Sequence, residues 1–247
     1  MALVSRGVAP ALLAAAFLAS GCGLQGAAPA ADTGGLGTVA EPALAGTALA
    51  SEASPSESSG RANPYLRWAQ QLGRPTGIPP RALAAYAAAD VALQKEHPSC
   101  RLNWATLAGI GWVESSHGTL DGARLDDAGV AEPSIVGPTL DGRAFGRVDD
   151  TDDGRLDGDR SFDHAVGPLQ FTPGSWKRWA SDGDGDGRKN PQDIDDAALA
   201  AGRYLCASGV DLTSSEGWWQ AVKSYNHSDE YARDVSVATT TYATRSR

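Results

Sequence analysis

The sequence predicts a mainly α-helical protein with one folded domain, and three observations support this. Apolar residues recur at helical spacing in several segments between positions 64 and 241. Between two groups of such segments, positions 117–164 are rich in Gly and Asp and predict a largely irregular lobe. The first 60 residues show no pattern that could build a core. The folded domain is therefore expected over residues 61–247, long enough for a single core.

The N-terminus has the features of an export signal. Residues 1–21 contain Arg6, then an apolar run, then small residues, and the run is too short to span a membrane. Cys22 follows directly, as in bacterial lipoproteins, although Ala19 stands where Leu is preferred. Lipidation of Cys22 is therefore predicted, and the alternative is an ordinary secreted protein. Residues 22–60 are rich in Ala, Gly, Ser and Pro and predict a flexible tether.

Three cysteines are present in the chain. If Cys22 is lipidated, Cys100 and Cys206 remain and are predicted to form a disulfide in an oxidising compartment. The alternative is two buried free thiols.

The helices are predicted in order along the domain. Pro64 to Leu72 forms a short helix, a turn follows from Gly73 to Pro79, and Pro80 opens a second helix that runs to Glu96. The later helices are expected at 103–118, 173–180 and 195–207, with one or two more between 216 and 241. Short strands are predicted around positions 133–136.

The helix at 103–118 carries the residue of greatest chemical interest. Asn103 is a good N-cap, apolar residues recur on one face, and Gly118 is expected to end the helix. Glu114 falls on or beside the apolar face. Burial there raises the pKa of a carboxyl group, and an acid that stays protonated near neutral pH can donate a proton to a leaving oxygen. The alternative is a solvated Glu at a fraying helix end.

Charge and motifs exclude several functions. The net charge of −9 argues against binding to nucleic acid or, by charge, to an anionic membrane surface. The four His are scattered and form no zinc signature, and neither a nucleophile-elbow serine nor a phosphate-binding loop is present. No organic cofactor is expected, and a monomer is predicted.

Positions 182–193 fit the loop of an EF-hand, the helix–loop–helix calcium site. Carboxylates stand at positions 1, 3 and 5 of the template, Gly187 stands at 6, and residue 7 would offer a backbone carbonyl. An Asp stands at position 12, where Glu is usual. The predicted Ca²⁺ ligands are Asp182, Asp184, Asp186, Arg188 and Asp193.

A second acidic run, residues 149–159, does not fit this template. It is interpreted as a solvated loop, with a weak cation site as the alternative.

Two tyrosines, an asparagine and a histidine lie close together at positions 225–231. Such groups stack on sugars and form hydrogen bonds with them, although a helix start with Tyr231 packed inward explains the pattern equally well.

Four segments, in this order, resemble the lytic murein transglycosylases of the membrane-bound B type. They are 111–114 followed by Gly118, 161–162 leading to 167–173, the acidic loop 182–193, and 225–228 with Tyr231. The resemblance implies a lysozyme-like α+β fold, with Glu114 beside a saccharide cleft. It also implies cleavage of the MurNAc-β-1,4-GlcNAc bond of peptidoglycan, with formation of 1,6-anhydro-MurNAc ends and Glu114 as the single catalytic acid. The substrate-binding residues that it implies are Ser161, Gln170, Tyr225, Asn226 and Tyr231.

Two other functions remain open from the sequence. A hydrolytic muramidase of the goose-lysozyme kind would use the same Glu114, and a non-catalytic lipoprotein would bind peptidoglycan without needing it. In each case the protein acts in the bacterial cell envelope and contacts the membrane only through a lipid at Cys22.

Overall fold

In the computed structural model, the described part of the chain is residues 63–247, and helices form about half of it. The seven helices of this range are α1 (Leu66–Thr76), α2 (Pro80–Glu96), α3 (Trp104–Ser115), α4 (Pro173–Trp179), α5 (Ile194–Cys206), α6 (Ser215–Tyr225) and α7 (Asp229–Arg245). The predictions for the signal peptide, the tether and Cys22 fall on residues 1–62 and lie outside the described residues. Within residues 63–247, no helix has the length and apolar character needed to cross a membrane.

A lobe with two small antiparallel sheets separates α3 from α4. In the first sheet, β1 (Arg124–Leu125) pairs with β2 (Ala131–Glu132). In the second, β3 (Val136–Thr139) pairs with β4 (His164–Val166), and the register shifts within the pair. The lobe is therefore irregular, as predicted, and Val136 of the expected strand lies in β3. Seven helices with so few strands fit a mainly α, lysozyme-like domain.

Helix α3 is the centre of the core. It packs along α7, while α2 packs along α5. Every residue from Trp104 to Gly111 is buried, so the apolar face predicted from periodicity extends around the whole helix. Glycines allow this close packing, because a Cβ at Gly109 would collide with Thr239 of α7 and a Cβ at Gly111 with the hydroxyl of Tyr86.

The start of α3 agrees with the prediction, and its end does not. The Asn103 side chain accepts the N–H of Ala105 at 2.9 Å, which confirms the predicted N-cap. The predicted end at Gly118 is wrong, because the helix ends at Ser115 and Ser116 is already left-handed (φ 51°). His117 follows at φ 64°, and its buried ring lies between the Tyr86 and Tyr242 hydroxyls at 3.2 and 2.9 Å. These tertiary contacts stabilise the early turn.

Helix α1 is longer than predicted. The expected turn at Gly73 is wrong, because the helix continues to Thr76 with Pro75 inside its last turn. It ends at Gly77, which has the left-handed φ of 78° that glycine tolerates and donates its N–H to the Gly73 carbonyl. The segment predicted between 216 and 241 forms two helices, α6 and α7.

Cys100 and Cys206 form a disulfide, as predicted. Cys100 lies just before α3 and Cys206 is the last residue of α5, and both are buried. The bridge therefore ties the start of the central helix to the far half of the domain, across 106 positions of sequence.

Replacing both Cys100 and Cys206 with Ser should lower the free energy of unfolding by about 4–5 kcal/mol, because the bridge closes a long loop in the unfolded chain. Urea unfolding of the double variant against the unreduced wild type measures this. Cys22→Ser is the control and should leave the free energy of unfolding unchanged. Two free thiols at positions 100 and 206, found by mass spectrometry of the unreduced protein, would refute the bridge.

Candidate active site

Glu114 lies in the last turn of α3 and is buried, with 5% of its surface exposed. Its Oε1 accepts a hydrogen bond from the Tyr231 hydroxyl at 2.7 Å. Tyr231 is fully buried in the first turn of α7, where the Ser228 side chain caps the helix. The packing of α3 against α7 therefore places this carboxyl group and this phenol together.

Burial raises the pKa of Glu114 to about 8, while the hydrogen bond from Tyr231 acts in the opposite direction. The direction is the one expected from the sequence. No second carboxylate of the described residues contributes to this shift. At neutral pH the group is thus a protonated acid that can donate its proton to a substrate oxygen.

Tyr225 and Asn226 lie at the end of α6, near Glu114. The Tyr225 hydroxyl donates to the Leu169 carbonyl at 2.7 Å. Burial raises the pKa of Tyr225, and the charge of Glu114 adds to this effect. Asn226 is the C-cap of α6, and its Oδ1 accepts the Ser228 N–H at 3.0 Å. Asn226 thus helps to join α6 to α7 at the site.

The segment 167–171 forms another side of this region. The Ser115 hydroxyl, adjacent to Glu114, donates to the Pro168 carbonyl. Gln170 is buried in a left-handed conformation (φ 49°), and its Nε2 donates to the Gly167 carbonyl at 3.0 Å. A Cβ at Gly137 of β3 would collide with the Gln170 amide. The lobe thus packs closely against this segment and orients Gln170.

Ser161 is the one predicted substrate-binding residue that the structure leaves on the exposed surface of the lobe. Its N–H donates to the Asp159 carboxylate at 2.7 Å, and its carbonyl accepts from Asp150. In the described part of the chain its hydroxyl is not hydrogen-bonded to Glu114, so a role for Ser161 in binding stays a prediction.

A cavity of about 510 Å³ lies between the lobe, α4 and the last residues of α5 and α6, and neither Glu114 nor Tyr225 is among its lining residues. Its wall includes Tyr204 and Ser224, and the Tyr204 ring lies 5.3 Å from the Tyr225 ring. Tyr204 is not among the residues predicted from the sequence, because helical spacing does not distinguish a tyrosine in the core of α5 from one that lines a cavity. No other signal in the sequence singles it out.

The acidic loop before α5 gathers a carboxylate set that differs from the predicted one. Carboxylate oxygens of Asp182, Asp184 and Asp196 lie within 4.8 Å of one another. Asp193 does not belong to this cluster and caps α5 by accepting the Asp195 N–H, and its role as a Ca²⁺ ligand stays a prediction. Asp186 and Arg188 also lie outside the cluster and are exposed.

These residues fit a calcium ion by their chemistry. Ca²⁺ prefers oxygen ligands from several carboxylates, and the cluster offers three. The pKa of Asp196 is raised to about 6, chiefly by burial and also by the nearby charges of Asp184 and Asp182. A divalent cation would relieve this repulsion. Asp182, Asp184 and Asp196 are the residues that would hold it.

The last part of this loop contacts the lobe directly. Gln192 forms two hydrogen bonds with the backbone of Ile135, at 2.8 and 2.9 Å. The Pro191 carbonyl packs so closely on Gly167 that a Cβ there would collide with it. The acidic loop thus helps to position the segment that carries Gln170.

The second acidic run, interpreted above as a solvated loop, is partly buried. Asp150, Asp152 and Asp163 bring carboxylate oxygens within 4.8 Å of one another. Asp163 is fully buried, and its two oxygens accept from the N–H and hydroxyl of Thr151. Because Asp163 lies outside the run of 149–159, template alignment of that run could not find it.

Comparison with known proteins gives one match. Residues 148–229, about a third of the chain, match the family model described as a transglycosylase SLT domain. The match includes Gln170, the acidic loop, Tyr225 and Asn226, and it begins after Glu114. No curated protein and no solved structure matches the chain.

This match supports a lytic transglycosylase of the lysozyme-like superfamily, the class of enzymes that act on peptidoglycan outside the cytoplasm. The helical architecture around Glu114 is compatible with that class. The membrane-bound B type stays a prediction, because the family model does not distinguish it from other types.

Calcium should raise the thermal unfolding temperature of the wild type, with a stabilisation of about 2.7 kcal/mol at a hundredfold excess over Kd. Asp196→Asn should remove most of this response, because Asp196 belongs to the carboxylate cluster. Asp193→Asn is the matched control and should keep it, since Asn also caps helices. If Asp193→Asn removed the response to calcium and Asp196→Asn kept it, the twelve-residue EF-hand template would be favoured. A wild type whose unfolding temperature does not respond to calcium or chelator would refute the site.

Proposed function

We propose that the protein is a peptidoglycan lytic transglycosylase that uses Glu114 as its catalytic acid and base. The observation that carries this proposal is a buried carboxyl group that accepts a hydrogen bond from Tyr231 and whose pKa is raised by burial. A buried carboxyl group without a charged partner reduces stability, so its retention favours a functional role. The match to the transglycosylase model adds the substrate class.

In the first step, Glu114 protonates the glycosidic oxygen between MurNAc and GlcNAc. The bond from that oxygen to the MurNAc anomeric carbon then breaks, and GlcNAc leaves with the proton. Glu114 becomes a carboxylate, which the Tyr231 hydroxyl stabilises by its hydrogen bond. The negative charge is costly in this buried position, so the carboxylate is a strong base for the second step.

In the second step, Glu114 removes the proton from the C6 hydroxyl of the same MurNAc. The C6 oxygen bonds to the anomeric carbon and forms the 1,6-anhydro ring, and Glu114 is protonated again. No water is consumed. Most glycosidases need a second carboxylate. Here the carbonyl oxygen of the substrate's 2-acetamido group takes that role: it bonds to the anomeric carbon as the glycosidic bond breaks, and the C6 oxygen then displaces it. This is consistent with a Glu114 whose pKa shift owes nothing to a neighbouring carboxylate.

The other groups of the site would bind the sugar chain. We propose that Tyr225, which lies near enough to Glu114 to be affected by its charge, and Asn226, which follows it in the chain, form part of this binding region together with Gln170. We propose Ser161 as a further contact from the lobe, and Tyr231 as a positioning residue for Glu114. Amide groups such as those of Asn226 and Gln170 suit the hydroxyl and acetamido groups of the sugars.

Calcium would have a structural role at Asp182, Asp184 and Asp196, because this loop leads directly into the contacts with the lobe. We also propose that the protein is anchored in the cell envelope by a lipid at Cys22 and that it belongs to the membrane-bound B type. A lipid-free secreted form is the alternative.

Digestion of purified sacculi should release fragments that end in 1,6-anhydro-MurNAc, lighter than reducing ends by the mass of one water. Mass spectrometry of the muropeptides measures this. Reducing MurNAc ends would instead show a hydrolytic muramidase of the goose-lysozyme kind. Binding to sacculi without any cleavage would show a non-catalytic peptidoglycan-binding lipoprotein.

Glu114→Gln should abolish turnover and change the pH dependence of stability. The pKa of Glu114 is about 8 when folded and about 4.3 in an unfolded chain. The folded state therefore keeps a proton that the unfolded state releases, and its stabilising effect is complete below pH ~4 and lost as the pH rises through ~8.

Because Gln does not titrate, Glu114→Gln should gain stability over the wild type between pH 5 and pH 9, by on the order of a few kcal/mol. Urea unfolding of both proteins at the two pH values measures this, and Glu230→Gln on the exposed side of α7 is the control. A stability difference that does not change with pH would contradict the buried acid, and an active Glu114→Gln enzyme would contradict its catalytic role.

A further inference from the structure

The turn that follows α3 is strained at three successive residues. Ser116, His117 and Gly118 all have left-handed backbone conformations, with φ of 51°, 64° and 83°. This conformation is unfavourable for a residue with a Cβ, and it persists only where the surrounding structure holds it. The turn begins two residues after Glu114, so its shape determines how α3 ends beside the proposed catalytic acid.

The His117 side chain supplies contacts that hold this turn. It is buried, with 1% of its surface exposed. Its Nδ1 lies 3.2 Å from the Tyr86 hydroxyl of α2, and its Nε2 lies 2.9 Å from the Tyr242 hydroxyl of α7. A neutral imidazole has one N–H donor and one acceptor nitrogen, so a single tautomer can satisfy both contacts. His117 therefore joins the turn to two helices that pack against α3.

The same turn closes the end of α3 against its surroundings. The Ser115 hydroxyl accepts the Gly118 N–H at 2.8 Å and donates to the Pro168 carbonyl. A Cβ at Gly118 would lie 2.8 Å from the Leu125 side chain and 3.5 Å from Pro168, so the turn is packed on both sides. An open turn would lose these contacts and would admit water to the carboxyl group of Glu114.

The groups around this turn differ in the pH at which they titrate. Burial lowers the pKa of His117 to about 3, so its imidazole is neutral from pH 5 to pH 9. The titratable groups that interact with His117 or Glu114 are four tyrosines whose pKa values are raised by burial: Tyr86, Tyr242, Tyr225 and Tyr231. The charge of Arg245 lowers the pKa of Tyr242, but burial has the larger effect. Among these groups, only Glu114, with a pKa of about 8, titrates between pH 5 and pH 9.

We propose that His117 is a positioning residue for the catalytic acid, because its two hydrogen bonds keep the strained turn closed and thereby keep Glu114 out of water. This inference rests on the proposed function, since it takes Glu114 to be the acid that protonates the glycosidic oxygen. His117 does not touch the substrate in this role. It preserves the buried environment in which Glu114 retains its proton at neutral pH.

His117→Asn tests the role of the bridge. Asn is too short to join the two tyrosines, and it tolerates a left-handed backbone. Water then reaches Glu114 and lowers its pKa, so the alkaline limb of kcat/KM on soluble glycan strands should move down by about one pH unit. The loss of activity should be about tenfold at pH 9 and small at pH 5, where the acid is protonated in both proteins. Initial rates from pH 5 to pH 9 measure this.

A milder variant and a matched control accompany this test. Tyr242→Phe keeps the ring and removes one of the two hydroxyls, so it should move the limb in the same direction by a smaller amount. Thr106→Val is the control, because it removes a buried hydrogen bond with Trp218 near the start of α3 and should keep the wild-type limb. A loss in His117→Asn that is equal at all pH values, or an equal displacement of the limb in Thr106→Val, would overturn the inference.

Urea unfolding separates this inference from the proposed function, because it reports the protonation of Glu114 without turnover. Glu114→Gln is expected to gain stability over its parent between pH 5 and pH 9. In the His117→Asn background this gain should be smaller by about a third, since the folded pKa of Glu114 lies closer to its unfolded value. A wild type that cleaves no strand would refute the proposed function. An equal gain in both backgrounds would overturn the inference, whether or not any strand is cleaved.

Discussion

The structure depends on the burial of one carboxyl group where α3 packs against α7. Gly109 lets α7 approach α3 closely, and Gly111 does the same for α2. The Tyr231 hydroxyl reaches Glu114 only because α7 lies that close. The burial that results from this packing raises the pKa of Glu114, against the opposite effect of the Tyr231 hydrogen bond. Burial of an acid without a charged partner costs stability, and the disulfide from Cys100 to Cys206 offsets such a cost by holding the start of α3.

The region around Glu114 is assembled from segments far apart in the chain. The Tyr225 hydroxyl donates a hydrogen bond to the Leu169 carbonyl, and the Ser115 hydroxyl donates one to the Pro168 carbonyl. Helices α6 and α3 therefore both contact the same short segment. The acidic loop reaches this segment from the other side, through Pro191 on Gly167. A cation in that loop would therefore act on the site through packing, without touching the substrate.

The largest difference between the predicted residues and the structure concerns the carboxylates that gather in the acidic loop. The twelve-residue template ends at Asp193, but that residue is also the N-cap of α5, and its side chain is used for the cap. One turn into the helix, Asp196 accepts the N–H groups of Gly183 and Asn190 and joins Asp182 and Asp184. Spacing along the chain does not show which of the two acids lies beside Asp182 and Asp184, because both side chains accept backbone N–H groups at the helix start.

Local sequence was sufficient for features with local causes: the mainly helical class, the Asn103 cap, the acidic loop and the presence of an acid at the end of an apolar helix. Cysteine parity also predicted the disulfide. Only the tertiary structure decided that Tyr231 faces Glu114, that Tyr204 and Arg178 line one cavity, and that Asp163 and Asp196 join acidic clusters. These depend on contacts between residues far apart in sequence, and periodicity and spacing carry no information about which helix faces will meet.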